Sequence, residues 1–308
     1  MADEQDNQYQ VIARKWRPRR FADLIGQEHI TRTLQNSLKH GRMGHAYLFV
    51  GPRGIGKTTL ARIFAKTINC QNLGEDLQPC DECESCKAFN QHRSTNIHEL
   101  DAASNNTVDN IRSLIDQVRI PPQLGKYSIY IIDEVHMLSA SAFNAFLKTL
   151  EEPPPHAIFI LATTEKHKII PTILSRCQIF DFNRIKVEEM VQFLERISQK
   201  EGVQYERDAL TIIAQKADGA MRDALSIYDQ VVSFSDDQIT YPKVIENLNV
   251  LDFDYYFRLT DAFMEGNHAE ALVIFNEILE KGFDAHQFIN GLSKHFRDLL
   301  ITKDEKTL

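Results

Sequence analysis

The stretch "AYLFVGPRGIGKTTLARIFAKTI", residues 46–68, decides the fold. Its first five residues are apolar without a break, which reads as a strand buried on both faces. Gly51, Gly56, Lys57 and Thr58 then fit the pattern G-x-x-x-x-G-K-[ST]. Beyond them Leu60, Ile63, Phe64, Thr67 and Ile68 recur at helical spacing on one face. A strand, a glycine-rich loop and a helix in that order aim backbone N–H groups and the positive end of the helix at one point. That point suits phosphate. Lys57 would reach the β- and γ-phosphates of a nucleotide, and the Thr58 hydroxyl would ligate Mg²⁺. An ordinary glycine-rich turn explains the glycines but not the strand and helix that flank them.

A second apolar run, "IYIIDEVH" (129–136), ends on Asp133 and Glu134. Doubly wound sheets hold ligands at the carboxyl ends of their strands. Asp133 is therefore expected in the Mg²⁺ shell, with Glu134 polarising an attacking water. The competing reading, two acids capping the next helix, is weak beside an intact phosphate loop.

Further strands are expected at 97–101, 158–163 and 178–182, and helices at 58–69, 108–118 and 141–150. Alternating strand and helix predict an α/β domain with a parallel five-stranded sheet. The strand 97–101 lies between the two motifs in sequence, which points to the P-loop branch with an inserted strand. Pro153, Pro154 and Pro155 stop the 141–150 helix. From about residue 186 the strands cease. Helical patterns follow at 187–201, 207–217, 221–233 and 241–248, and another set begins near Asp254. Domain boundaries are placed near 183 and 250, with residues 1–8 an unstructured leader.

The 308 residues suit two or three domains, and 43% hydrophobic with 25% charged residues is the composition of a soluble globular chain. No apolar run reaches the ~20 residues that cross a bilayer. The acidic start "MADEQDNQYQ" has no apolar core of a signal peptide, so a cytoplasmic location is expected. The net charge of −8 is uneven: residues 1–60 hold 10 bases and 5 acids, 61–150 hold 8 and 11, and 151–308 hold 17 and 27. Any contact with nucleic acid must use a local patch.

Four of the five cysteines, Cys70, Cys80, Cys83 and Cys86, lie just after the phosphate-loop helix with spacing C-x₉-C-x₂-C-x₂-C. In a reducing compartment such clusters are metal ligands more often than disulfides. Four thiolates with no open position suit structural Zn²⁺. An iron–sulfur cluster and free thiols are the alternatives. Acids around the knuckle argue against a DNA-binding finger. Cys177 reads as a lone core thiol. Three more polar residues stand at strand or helix ends, where spacing alone assigns them nothing. Thr164 can be a plain strand-end threonine, Arg176 a helix C-terminal cation, and Arg222 a surface ion pair.

Together "ARKWRPRRFADLIGQEHI", "HAYLFVGPRGIGKTT", "ELDAASN", "IYIIDEVHMLS", "FNAFLKTLEEPPPHAIFILATTE" and "ILSRCQIFDF" closely resemble the gamma/tau subunits of bacterial DNA polymerase III, the AAA+ ATPases of the sliding-clamp loader. The likeness runs from about residue 9 to at least 250. It implies an AAA+ domain over 9–183, a zinc module near 70–95, a helical lid over 184–250 and part of a helical collar over 251–308. It implies ATP, Mg²⁺ and Zn²⁺ as ligands. The nucleotide would be held by Gly51, Pro52, Arg53, Gly54, Ile55, Gly56, Lys57, Thr58 and Thr59, with Asp133. Thr164 would be the sensor 1 residue, Arg176 an arginine finger acting in trans, and Arg222 the sensor 2 arginine. Arg17, Pro18 and Ile25 would flank the base.

The implied partners are the delta and delta-prime subunits, further gamma/tau copies, the sliding clamp, and primer–template DNA through the assembled complex. No membrane partner is expected. A nucleotide-silent scaffold subunit and another AAA+ replication or recombination ATPase are the alternative readings. The chain is expected to end partway through the collar and to be monomeric by itself.

Overall fold

In the computed structural model, residues 10–123, 125–235, 238–248 and 251–303 are described. The leader expected at 1–8 lies outside them. The chain divides into two compact units, one of Met1–Ile197 with Ile213–Asp229 and one of Ser198–Ile212 with Gln230–Leu308.

The first unit begins with α1 (Ile12–Lys15) and α2 (Glu28–Lys39), then β1 (Ala46–Val50) and α3 (Lys57–Ile68). A segment containing α4 (Glu84–Asn90) leads to β2 (Ile97–Asp101) and α5 (Val108–Val118). Next come β3 (Ser128–Asp133), α6 (Ala140–Glu151), β4 (Ala157–Thr163), α7 (Pro171–Leu174) and β5 (Gln178–Asp181). Helices α8 (Val187–Glu201), α9 (Arg207–Lys216) and α10 (Met221–Phe234) follow, and the division between the units falls inside them.

The five strands form one parallel sheet in the order β2-β3-β4-β1-β5. Successive strand residues point to opposite faces, and here both faces are covered. Tyr47, Phe49, Ile129, Ile131, Ile158 and Ile160 enter one core, shared with Leu34 of α2 and with Leu60 and Phe64 of α3. Leu48, Val50, Tyr130, Ile132, Phe159 and Leu161 enter the other, shared with Leu114 of α5 and with Phe143 and Phe146 of α6. Double coverage is why β1, β3 and β4 read as unbroken apolar runs.

Local chemistry sets the helix ends. The Thr107 hydroxyl accepts the Asn110 N–H at 3.3 Å to cap α5, and the Ser139 hydroxyl accepts the Ala142 N–H at 3.2 Å to cap α6. Helix α6 ends at Glu151, just before the three prolines, as expected.

The second unit has α11 (Tyr241–Leu248), α12 (Phe253–Met264), α13 (His268–Glu280) and α14 (Ala285–Thr302). Tyr256, Leu259, Ile274, Ile278 and Phe288 build its core, with the rings of Tyr256 and Phe288 stacked 5.5 Å apart. One expectation fails here. Strands do not cease after residue 186, because β6 (Gln204–Tyr205) pairs in parallel with β7 (Gln238–Ile239). Two-residue strands have no period for a sequence pattern to show. Among the described residues no helix is long and apolar enough to cross a membrane.

Candidate functional site: a phosphate loop, its acids and a four-cysteine cluster

The loop between β1 and α3 starts where the sheet is pinned on both sides of β1. Gly51 N–H bonds Thr163 O of β4 at 3.1 Å, and Phe182 N–H bonds Val50 O at 2.7 Å. Gly51 has φ +151°, and a Cβ there would lie 2.7 Å from Phe182 O. Gly56 has φ +104° and hands the chain to Lys57, the first residue of α3. The Lys57 side chain is only 5% exposed, and its ammonium donates to Gly51 O and Pro52 O at 2.7 Å each. Burial pulls its pKa below the usual lysine value, the charges of Glu134 and Asp133 oppose this, and Arg222 adds to it.

Asp133 ends β3, two strands away from β1 across β4. Its Oδ2 accepts the Thr58 hydroxyl at 2.6 Å, and its Oδ1 accepts the Glu134 N–H at 3.0 Å. A hydroxyl and a carboxylate side by side are hard oxygen donors of the kind Mg²⁺ takes, with its remaining positions left to water and phosphate. Glu134 takes a left-handed backbone, φ +47°. Its Oε2 accepts the Thr164 hydroxyl at 3.1 Å and the Thr164 N–H at 3.3 Å.

Several of these groups line a cleft of about 810 Å³. Arg53, Gly54, Ile55, Gly56, Lys57, Thr58, Thr59, Asp133, Glu134 and Arg222 all face it. Arg17, Pro18 and Ile25 line it too, although they lie far ahead of the loop in sequence. Arg17 Nε donates to the Thr59 hydroxyl at 3.3 Å. Its pKa is lowered, by burial first and then by the nearby charges of Arg62 and Arg222, with Glu99 and Asp133 opposing. Arg222 is tied to the loop by its own N–H, 3.1 Å from Gly54 O. Cations gather at the loop end, while Val11, Pro18, Leu24, Ile25, Met221 and Leu225 supply apolar lining. An apolar lining with a few placed charges suits a nucleotide, a flat base joined to phosphates.

Gly51 and Pro52 do not line the cleft; their carbonyls hold Lys57 instead. Thr164 stands behind Glu134, outside the lining. Arg176 lies elsewhere, at the end of α7. It donates to Thr172 O at 2.7 Å and to the Ser175 hydroxyl at 3.2 Å, and it pairs with Glu151 at 2.7 Å.

Sequence reading passed over several lining residues. Asp101, at the carboxyl end of β2, could have been found by the same strand-end rule that marked Asp133. Met221 and Leu225 had no such signal, because on a sequence they are only two more apolar positions of a helix.

The four cysteines converge, with all four sulfurs within 4.8 Å of one another. Sulfurs bound to one zinc at about 2.3 Å in a tetrahedron would be about 3.8 Å apart, so the cluster needs only a small contraction. Cys80 Sγ and Cys86 Sγ already stand at 4.0 Å. The knuckle also turns backbone donors onto sulfur. Cys80 N–H reaches Cys70 Sγ at 3.3 Å, Cys83 N–H reaches Cys80 Sγ at 3.3 Å, and Cys86 N–H reaches Cys83 Sγ at 3.4 Å. Burial works against ionisation of Cys80, but the N–H groups of Cys83 and Glu82, with the thiols of Cys70 and Cys83, outweigh it and bring its pKa to about 6; at Cys70 and Cys86 burial prevails and raises the pKa. Such a donor set fits a closed tetrahedral zinc site. Cys177 is not one of these four: it packs on the core of the sheet, and burial pushes its thiol up to about 12.

Comparison with known proteins places these features in a family. A family model described as DNA polymerase III, delta subunit, matches residues 26–186. A second, described as the DNA polymerase III clamp loader subunit ATPase lid domain, matches 189–237. The chain is 49% identical over 295 residues to DNA polymerase III subunit tau of Bacillus subtilis, covering 96% of this chain and 52% of that protein. It is 45% identical over 276 residues to subunit tau of Escherichia coli, covering 90% of this chain and 43% of that protein. It is 40% identical to subunit gamma of Buchnera aphidicola, covering 91% of this chain and 78% of that protein. The chain thus spans about half the length of the first two of these relatives. Among solved structures, RuvB of Thermotoga maritima, titled a Holliday junction branch migration motor, superposes with a TM-score of 0.58. That match is 21% identical and covers 80% of this chain and 79% of that one, so it speaks for the AAA+ fold alone. The parallel sheet, the lid match and the identities over nearly the whole chain agree: this protein belongs to the gamma/tau subunit family of DNA polymerase III.

Proposed function

We propose that this chain is an ATP-hydrolysing motor subunit of the bacterial sliding-clamp loader. One observation carries the reading. Lys57, the Thr58–Asp133 pair at 2.6 Å and Glu134 line a single cleft at the carboxyl end of the sheet. Loop N–H groups from Arg53 to Thr59 would surround the phosphates, and Lys57 would leave Gly51 O and Pro52 O for the β- and γ-phosphates. Thr58 and Asp133 would hold Mg²⁺, whose charge offsets that on the phosphates. Glu134 would orient the attacking water, with Thr164 beside it reporting on the γ-phosphate. Arg222 would contact nucleotide bound to its own chain, and Arg17, Pro18 and Ile25 would flank the base. Cys70, Cys80, Cys83 and Cys86 would hold a structural Zn²⁺.

Arg176 would act on a neighbouring copy's nucleotide, which requires that it leave Glu151. Hydrolysis would then depend on how subunits meet, and a finger supplied in this way can be worth ~10³–10⁵ in rate. In the proposal, the lid occupies 184–250, in line with the lid match at 189–237, and 251–308 begins a collar. Delta, delta-prime and further gamma/tau copies, the clamp and primed DNA complete the assembly, in the cytoplasm.

The test is ATP turnover in the assembly with partner subunits, clamp and primed DNA. Lys57→Ala is expected to abolish turnover. Arg176→Ala is expected to keep nucleotide binding but to lose roughly 10³-fold or more of the stimulated rate. Full turnover by Lys57→Ala would show that hydrolysis occurs elsewhere. Background turnover by the unaltered chain in that assembly would favour a nucleotide-silent scaffold.

A further inference from the structure

Three residues beyond Asp133 the chain buries an imidazole that the proposed function does not use. The His136 side chain is 6% exposed. Its Nδ1 lies 3.1 Å from the Thr163 hydroxyl and 3.4 Å from Glu134 Oε2, while Nε2 lies 3.3 Å from Glu165 Oε1. The backbone explains how it gets there. Glu134 takes φ +47° and caps a single 3-10 turn, Val135–Met137, closed by Met137 N–H on Glu134 O at 2.8 Å. Val135 is fully buried in the core of the sheet, and His136 turns back against the ends of β3 and β4.

A left-handed backbone at a residue other than glycine costs about 1–3 kcal/mol and persists only where its surroundings over-determine it. Here they do. The Glu134 N–H is held by Asp133 Oδ1, its carbonyl by Met137 and its carboxylate by Thr164, with His136 Nδ1 alongside at 3.4 Å. Among the described residues the carboxylate's hydrogen bonds fall on one oxygen. Oε2 faces the Thr164 hydroxyl, the Thr164 N–H and His136 Nδ1, whereas Oε1 takes no hydrogen bond among the described residues.

We propose that His136 is a positioning residue for Glu134: its Nδ1 side, with Thr164, engages Oε2 and leaves Oε1 as the oxygen open to a water in the nucleotide cleft. This rests on the reading of the cleft as an ATPase site. The two ring nitrogens have different work. Nδ1 faces Thr163 and Glu134 at the cleft, and Nε2 faces Glu165, which does not line it. An asparagine amide can reach the place of Nδ1, and a glutamine amide the place of Nε2. The inference therefore separates two substitutions that a merely space-filling role would not.

The experiment measures kcat and KM for ATP in the assembly with partner subunits, clamp and primed DNA. Binding of a non-hydrolysable ATP analogue and thermal melting are measured alongside. His136→Ala is expected to lower kcat roughly ten- to a hundred-fold, the loss typical of a misplaced reacting group, with KM and analogue binding unchanged. His136→Asn is expected to recover most of kcat, and His136→Gln to stay near the alanine variant. Unchanged kcat in His136→Ala overturns the inference, as does glutamine rescuing as well as asparagine. A parallel loss of kcat, analogue binding and melting temperature in all three variants overturns it as well. If the unaltered assembly binds the analogue but does not hydrolyse ATP, the ATPase reading itself falls and takes the inference with it.

Discussion

Replacing Lys66 with methionine tests how the cysteine segment is fastened to the phosphate-loop helix. Lys66 lies in α3, only 4% exposed, and its ammonium donates to Asp81 Oδ1 at 2.6 Å and Asn90 Oδ1 at 3.5 Å. Asn90 Nδ2 also donates to Asp81 Oδ1, at 2.9 Å. Asp81 sits between Cys80 and Cys83 with φ +59°, so this latch holds the knuckle itself. Methionine keeps the length and removes the charge. Losing one partner of a fully buried ion pair costs about 3–5 kcal/mol. Asp81 is 28% exposed and keeps Asn90, which reduces the expected loss to about 1–3 kcal/mol. At roughly 2–4 °C per kcal/mol for a domain of this size, Lys66→Met should melt roughly 2–12 °C lower.

The loss should depend on pH. Burial alone would raise the pKa of Asp81. Hydrogen bonds from Asn90 and Lys66, with the charges of Lys66 and Arg20, outweigh burial and hold the carboxyl below its ordinary value. A folded pKa below the unfolded ~3.9 means that the pair stabilises fully above that value and stops doing so as pH falls through the folded pKa. The melting gap between the unaltered chain and Lys66→Met should therefore be complete at neutral pH and close in acid below about pH 4. Acid strips thiolate-bound metal from both chains, so the readout is the difference between them. A gap that persists in acid refutes the reasoning. So do losses in Lys66→Met and Asp81→Asn that simply add in the double variant, because coupled partners must show an interaction energy.

Two further outcomes are expected. Elemental analysis should find one zinc per chain and much less in Cys83→Ser; a chelator should lower the melting temperature of the unaltered chain and leave that of Cys83→Ser unmoved. An iron–sulfur absorbance, or unchanged metal in the variant, would contradict the zinc assignment. Gly51→Ala should lose about 2–5 kcal/mol in urea unfolding, because its φ suits only glycine and the new Cβ would press on a carbonyl. That carbonyl belongs to Phe182, whose N–H is pinned to Val50 O at 2.7 Å, so it cannot easily withdraw. Wild-type stability in this variant would show that the loop relaxes freely.

The central strands were legible because burial on both faces leaves continuous apolar runs, and β1 spans 46–50 as its sequence indicates. The edge strands β2 and β5 carry exposed polar residues such as Glu99 and Gln178, so their apolar runs are shorter and broken. The pair β6 and β7 left no trace, since two residues cannot show a period. At the site, the proximity of Lys57 and Thr58 follows from one turn of chain. Asp133 was found because a strand end is a recognisable place. His136 stood in plain view in "DEVH", but nothing in the string says that a left-handed Glu134 turns it back on that carboxylate.

By itself the sequence determined whatever depends on neighbours along the chain. That includes the strand–loop–helix around Gly51 to Thr58, the acids at the end of β3, and a cysteine spacing short enough for one knuckle. These are matters of local dihedral angles and reach. Only the tertiary structure decided which distant groups share the cleft. Sheet order and packing bring Pro18 and Ile25 to one lining with Met221, Arg222 and Leu225, and they leave Arg176 on Glu151 outside it. Proximity between residues so far apart arises from how the layers pack, and no local pattern of residues encodes it.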